Sequence, residues 1–159
     1  MSHYMNLIGQ NAKKASLEKI NTKIKNNVLK KYASLLDKER NSIIIENTKD
    51  IKFALKKRLK NNLIDRLTIN HKKLDNIINS VNRIIKLKDP VNNTLEKWSR
   101  PNGLKIKRVS IPIGVIGVIY ESRPNVTSDV ASLCFKSGNA VILKGGSEAI
   151  NTNKILAKL

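Results

Sequence analysis

Two short stretches hold residue types and spacings that could meet a ligand. One is Glu121-Ser122-Arg123-Pro124-Asn125 and the other is Lys144-Gly145-Gly146-Ser147-Glu148. In the first, the asparagine side-chain amide is a neutral donor able to stabilise a developing oxyanion. Arg123 adds a planar fork suited to a carboxylate or phosphate. The same residues would also make an ordinary turn. In the second, two glycines let backbone approach a ligand closely, and Lys144 supplies a point charge. A helix opening after Ser147 would present unpaired amides and a positive dipole end to an anion. A Gly-Gly turn capped by Ser147 serves equally well as a plain strand-to-helix connector. Neither GxGxxG nor GxxxxGK spacing occurs, so the two common glycine-rich phosphate fingerprints are excluded.

The elements that must position these loops follow from periodicity. Ile113 to Tyr120 is apolar on both faces, the pattern of a strand covered on both sides of a parallel sheet. Residues 127–137 read as a helix, with Thr127 or Ser128 as cap and Ser137-Gly138-Asn139 as the exit turn. Ala140 to Leu143 is a second apolar strand. Strand, helix and strand in about 30 residues make a βαβ unit, and both loops then fall at carboxyl ends of strands, where open α/β sheets bind ligands. Upstream the chain is helical. Leu7, Leu17, Ile20, Ile24, Val28, Tyr32 and Leu35 predict one long amphipathic helix over 6–38. Asn41 or Ser42 starts a second helix carrying Ile44, Ile45, Ile51 and Leu55. Asn61 and Asn62 break it before a short apolar turn, Leu63 to Leu67. Thr68 to Asn70 opens a helix with Leu74, Ile77, Ile78, Val81, Ile84 and Ile85, which Asp89-Pro90 ends. Residues 91–103 read as a loop with Trp98 as an anchor and Pro101-Asn102-Gly103 as a turn. Leu104 to Ser110 alternates as a half-exposed strand.

The 159 residues make one domain's worth of chain, and 40% apolar composition suits a buried core. No run of about 18 apolar residues predicts a transmembrane helix. The opening MSHYMNLIGQNAKK lacks an apolar signal core, and the single cysteine, Cys134, suits a reducing, cytoplasmic setting. His3 and His71 have no cysteine or acid at ligand spacing, so no metal site is expected. The net charge of +19 invites a nucleic-acid reading. Residues 111–159 hold five basic and three acidic groups, +2, which leaves +17 on residues 1–110. Those lysines are interleaved with asparagines and isoleucines, and few aromatics accompany them as stacking platforms. A solvated basic surface is the expectation, with a nucleic-acid-binding module as the alternative.

The segments PIGVIGVIYESRPNVT and SLCFKSGNAVILKGGSEA resemble the gamma-glutamyl phosphate reductase (glutamate-5-semialdehyde dehydrogenase) family of the aldehyde dehydrogenase superfamily. The resemblance extends upstream through Glu46-Asn47-Thr48-Lys49-Asp50-Ile51, Leu63-Ile64-Asp65-Arg66-Leu67, Asp89-Pro90-Val91 and Arg100-Pro101-Asn102-Gly103-Leu104, so it covers essentially the whole chain. It implies an α/β fold: N-terminal amphipathic helices (1–90), then an extended segment near Lys105 to Ile111 and the first βαβ unit of a parallel-sheet, NADP-binding domain (91–159), aldehyde dehydrogenase-like and truncated.

The reaction it implies is NADPH-dependent reduction of L-glutamate 5-phosphate to L-glutamate 5-semialdehyde in proline biosynthesis, through attack of a cysteine thiolate and a thioester. Lys144 matches the lysine that superfamily members place on the adenosine ribose. Ser147, three residues later, stands where NAD-preferring members often carry glutamate, and so leaves room for the 2′-phosphate of NADPH. Glu148, one residue on, works against that. Gly145 and Gly146 complete the cofactor turn, Asn125 matches the oxyanion asparagine, and Arg123 is a candidate for substrate phosphate or carboxylate. The family's nucleophilic cysteine lies in a later domain. Cys134, between Leu133 and Phe135 in a helix, is expected to be a buried, inert thiol. The chain alone is therefore expected to be inactive, with a companion polypeptide carrying the catalytic domain as one way to activity and a degraded gene product as another reading.

Overall fold

The computed structural model describes residues 3–159. Five helices come first: α1 (His3–Ser16), α2 (Thr22–Lys38), α3 (Arg40–Lys56), α4 (Asn61–Leu67) and α5 (His71–Lys86). A hairpin of β1 (Thr94–Ser99) and β2 (Lys105–Val109) follows. Then come β3 (Val115–Ile119), α6 (Asn125–Lys136), β4 (Ala140–Lys144), a single 3-10 turn (Ser147–Ala149) and α7 (Ile150–Lys158).

Leu29, Ala33 and Leu36 recur at turn spacing on α2, and Leu74, Ile77, Val81 and Ile84 do so on α5. The two stripes bury each other, joined by Ile43 from α3 and Leu156 from α7. The expected helix over 6–38 is broken. Asn21 takes an extended conformation, and its side chain accepts the N–H of Ile24 at 2.9 Å, which caps a new helix at Thr22. Leu17, counted in the apolar stripe, is 73% exposed. The cap predicted at Asn41 or Ser42 is also absent: α3 begins at Arg40, directly after Glu39, with no side-chain cap. The cap at Asn70 is present, accepting from the N–H of Lys73 at 2.8 Å.

Position 25 would face the core but carries a lysine, and it is 2% exposed. Its ammonium pairs with Asp89, at the loop leaving α5, at 3.0 Å. Asp89 also accepts from the Thr22 hydroxyl at 2.8 Å and the Val91 N–H at 3.0 Å. Burial alone would push the Asp89 carboxyl up, but these donors and the Lys25 charge outweigh it and hold it below its ordinary 3.8. A carboxylate with a depressed folded value adds stability above its unfolded pKa and loses that increment as pH falls through the folded value. Thermal melts taken from neutral pH down through 3.8 should therefore show an acid-side drop in Tm that is smaller in Asp89→Asn than in the parent.

The expected loop at 91–103 contains a strand. β1 pairs antiparallel with β2, Trp98 opposite Ile106, and the Pro101-Asn102-Gly103 turn closes the hairpin with Gly103 at φ +83. Trp98 is 38% exposed and anchors nothing in the core, because every residue of β1 faces solvent.

β3 and β4 are parallel, in register from Val115 opposite Ala140 to Ile119 opposite Lys144. α1 and α6 lie against β4. The helix α6 starts at Asn125, two residues before the predicted cap, and ends as predicted. Gly138 takes the left-handed conformation at φ +73, and the Asn139 N–H returns to the Cys134 carbonyl at 2.8 Å. A side chain at 138 would strike Pro112 and Val91 at 3.0 and 3.2 Å. β3 departs from expectation. It alternates exposed and half-buried, with Ile119 80% exposed, since among the described residues it pairs with β4 alone and one face has no covering layer.

Candidate functional site

Both sequence-singled loops arrive at the same end of the β3–β4 pair, and they touch. The Tyr120 N–H donates to the Lys144 carbonyl at 3.0 Å, which carries the parallel ladder past the strand ends. Beyond it, the Ser122 hydroxyl donates to Glu148 Oε1 at 2.8 Å. Ser122 is buried, so this bond is a fixed tie between the loops.

Beneath the glycines sits a polar cluster. The Tyr120 and Thr127 hydroxyls are 2.6 Å apart, and Thr127 donates to Asn153 Oδ1 at 3.0 Å. A Cβ at Gly145 would lie 2.2 Å from Asn153 Nδ2 and 3.1 Å from the Tyr120 ring. A Cβ at Gly146 would lie 2.3 Å from Glu148 Oε1. A side chain at either position would displace the end of Asn153 or of Glu148, and at 145 it would also press on the Tyr120 ring. Among the described residues, neither Gly145 nor Gly146 donates its backbone N–H to a protein acceptor. Lys144 and Ser147 are both exposed, and Lys144 has no acidic partner among the described residues. The unpaired Lys144, the Ser147 hydroxyl and the two free amides could meet an anion, while the Glu148 carboxylate, tied to Ser122 through Oε1, lies over Gly146 and keeps its charge beside them.

The helix after the turn does not help as expected. The Gly-Gly turn opens the 3-10 turn, and the N-terminal amides of α7 are already taken. Asp50 of α3 is 1% exposed and accepts from the Asn151 N–H at 3.1 Å, the Thr152 N–H at 2.8 Å, the Asn151 amide at 2.7 Å and the Thr152 hydroxyl at 2.6 Å. A neighbouring carboxylate, and not a ligand, neutralises that helix end. Asn47, one turn earlier on α3, donates to the Leu67 carbonyl at 2.9 Å and Thr152 Oγ1 at 3.1 Å, and accepts the Ile69 N–H at 2.7 Å. The Glu46–Ile51 segment therefore clamps α4 and α7 from below the site.

In the first loop, Arg123 is exposed with no acidic partner among the described residues. Asn125 opens α6, and its amide donates to Asp129 Oδ2 at 3.1 Å. A carboxylate only accepts, so this contact fixes which way the Asn125 amide points and leaves its second N–H available. Asp129 and the polar stripe it faces were not singled out from the sequence. The readable signal was the spacing of Lys73, Asn76, Ser80 and Arg83 at three and four residues, beside the apolar stripe of α5.

Cys134 lies mid-helix and 6% exposed, as expected, and burial pushes its thiol up. A protonated, covered thiol is a poor nucleophile. Among the described residues no cluster of His, Cys, Asp or Glu is placed to hold a metal ion, and no helix is long and apolar enough to cross a membrane.

The fold is that of an aldehyde dehydrogenase-like protein. A solved Bacillus subtilis strain 168 structure assigned to the aldehyde dehydrogenases superposes with a TM-score of 0.71 at 18% identity, over 98% of this chain and 32% of that one. In sequence, the chain is homologous to the N-terminal part of the gamma-glutamyl phosphate reductases. The reductase of Clostridium botulinum strain Alaska E43 is 46% identical over 154 residues, 96% of this chain and 37% of the relative. The crystal structure of the Thermotoga maritima gamma-glutamyl phosphate reductase superposes with a TM-score of 0.88 at 43% identity, over 92% of this chain and 36% of that one. The chain thus spans little more than a third of the length of the relatives it matches. No family model matches it.

Proposed function

We propose that the chain forms the N-terminal, cofactor-binding part of an NADPH-dependent reductase acting on L-glutamate 5-phosphate, and that alone it does not turn over. The observation that carries this reading is the joined pair of loops: an unpaired Lys144 and two free glycine amides at the end of β4, tied through Glu148 and Ser122 to the loop that presents Asn125. When bound, NADPH supplies hydride. The residues of the chain bind and orient. Lys144 and Ser147 take the ribose and its 2′-phosphate, and the bond to Ser122 holds Glu148 in place while Lys144 offsets its charge. Asn125, held by Asp129, donates its second N–H to the carbonyl oxygen as that oxygen gains charge under attack by a thiolate. Arg123 holds the substrate's phosphate. The thiolate comes from outside these 159 residues, because the covered Cys134 cannot serve. The relatives support this reading and lend none to a nucleic-acid-binding module.

Titrating the chain with NADPH and with NADH, read by nicotinamide fluorescence, tests the cofactor assignment. NADPH should bind the more tightly. Lys144→Ala should weaken it about tenfold, the loss of one charge-assisted contact. Ser147→Glu should weaken NADPH while sparing NADH, by setting a carboxylate against the 2′-phosphate. Equal affinity for the two nucleotides in the parent chain would defeat the assignment.

A further inference from the structure

A cleft of about 320 Å³ opens between the α4–α5 corner and the first turns of α6. It is roughly the size of the smaller ligand sites in proteins. Arg66 lines it from the end of α4, Ser80 and Arg83 from one stripe of α5, and Asn125 and Asp129 from α6. Lys73, also at its wall, is engaged by the Asp65 carbonyl and carboxylate. Arg66 and Arg83 have no acidic partner among the described residues. Asp129 is half used: Oδ2 accepts from Asn125, while Oδ1 is buried with no hydrogen-bond partner. Buried carboxylate oxygens without partners are rare in folded proteins, and each calls for a group to satisfy it.

A carboxylate and two unpaired guanidinium groups around one cleft are the complement of an amino-acid zwitterion. An ammonium has donors only, and a carboxylate matches the guanidinium fork. We propose that this cleft holds the α-amino-acid end of the substrate, with Asp129 taking the ammonium and Arg83 and Arg66 the α-carboxylate. This rests on the reductase reading above. Because Asn125 lines the same cleft, a ligand anchored there lies beside the proposed oxyanion donor. Asp129 then has two duties: its Oδ2 aims Asn125 and, through its remaining lone pair, reads the ammonium.

The test uses the ¹⁵N-labelled chain and three probes: L-glutamate, glutarate (the same carbon chain and both carboxylates without the amine) and NADPH. L-Glutamate should shift the amide resonances of residues 76–83 and 125–129, and should bind about tenfold more tightly than glutarate, the worth of a charge-assisted hydrogen bond. Asp129→Asn, which keeps the side-chain shape, should abolish that preference, and Arg83→Gln, at an exposed position, should weaken both ligands. The comparison in the parent chain needs no variant to fold. Equal affinity for L-glutamate and glutarate, or no shifts at these residues, overturns the assignment. If NADPH binds while L-glutamate does not, the cleft assignment falls and the reductase reading stands. L-Glutamate selectivity without NADPH binding sinks the cofactor assignment and leaves the cleft.

Discussion

Replacing Asp50 by alanine should lower the unfolding free energy by roughly 4 kcal/mol, the sum expected when several buried donors lose one shared acceptor. The carboxylate accepts four hydrogen bonds from the first residues of α7, two of them from backbone N–H groups. Alanine leaves the two Thr152 donors buried and unpaired and the two Asn151 donors half-covered, and removes the negative charge at the positive end of the helix. Domains of this size are stable by about 5–15 kcal/mol, so the variant should sit close to unfolding. Asp50→Asn should recover part of the loss, because one oxygen still accepts while the new amide meets a donor. Urea denaturation of the three proteins gives the comparison. A loss near 1 kcal/mol in Asp50→Ala, the usual scale of an exposed cap, would mean that water reaches the helix end.

The second large effect concerns catalysis. A chimera carrying these 159 residues in place of the matching part of the Clostridium botulinum reductase should reduce the acyl phosphate, while the chain alone should not. In that chimera, Asn125→Ala should lower kcat about 10²- to 10³-fold, the cost of removing an oxyanion donor, with NADPH affinity unchanged. Asp129→Asn should lower kcat less, since an asparagine at 129 can still accept from Asn125. Steady-state kinetics with the acyl phosphate decide this. A drop confined to KM would make Asn125 a binding residue and not a stabiliser of developing charge. Turnover by the chain alone would show that Cys134, or another group within it, can act as nucleophile.

The parts of the fold legible in the sequence were those fixed by local patterns. The βαβ unit announced itself through two apolar runs, and Gly138 through the left-handed turn that ends α6. The α5 helix was legible from both its cap and its stripe. What escaped were features set by partners far along the chain. Asn21 is one of many asparagines, and only its bond to Ile24 makes it a helix start. Lys25 was counted among surface lysines, yet it is buried because Asp89, 64 residues later, meets it. In β1, Leu95 and Trp98 stand three residues apart, so no apolar alternation marks the strand, and its pairing with β2 was not visible locally. At the candidate site, both loops and their residue types were readable. That Glu148 binds Ser122, that Asp50 consumes the end of α7, and that Asp129 orients Asn125 all depend on the folded chain.

The β1–β2 hairpin carries one further consequence. It buries almost nothing: all of β1 is exposed, and in β2 only Ile106 is half-buried. Its base is fastened by backbone bonds between Asn92 and Ser110, and between Asn93 and Ser110, at 2.8 and 3.0 Å. A ribbon held by its own ladder and one hinge opens without disturbing the Leu36–Val81 core. Its amide hydrogens should therefore exchange with solvent through local opening, at a rate indifferent to the stability of the helices. Covalently one, the chain should then behave cooperatively as two, a slow body and a fast arm, and a denaturation curve read from the helices should report nothing about the arm.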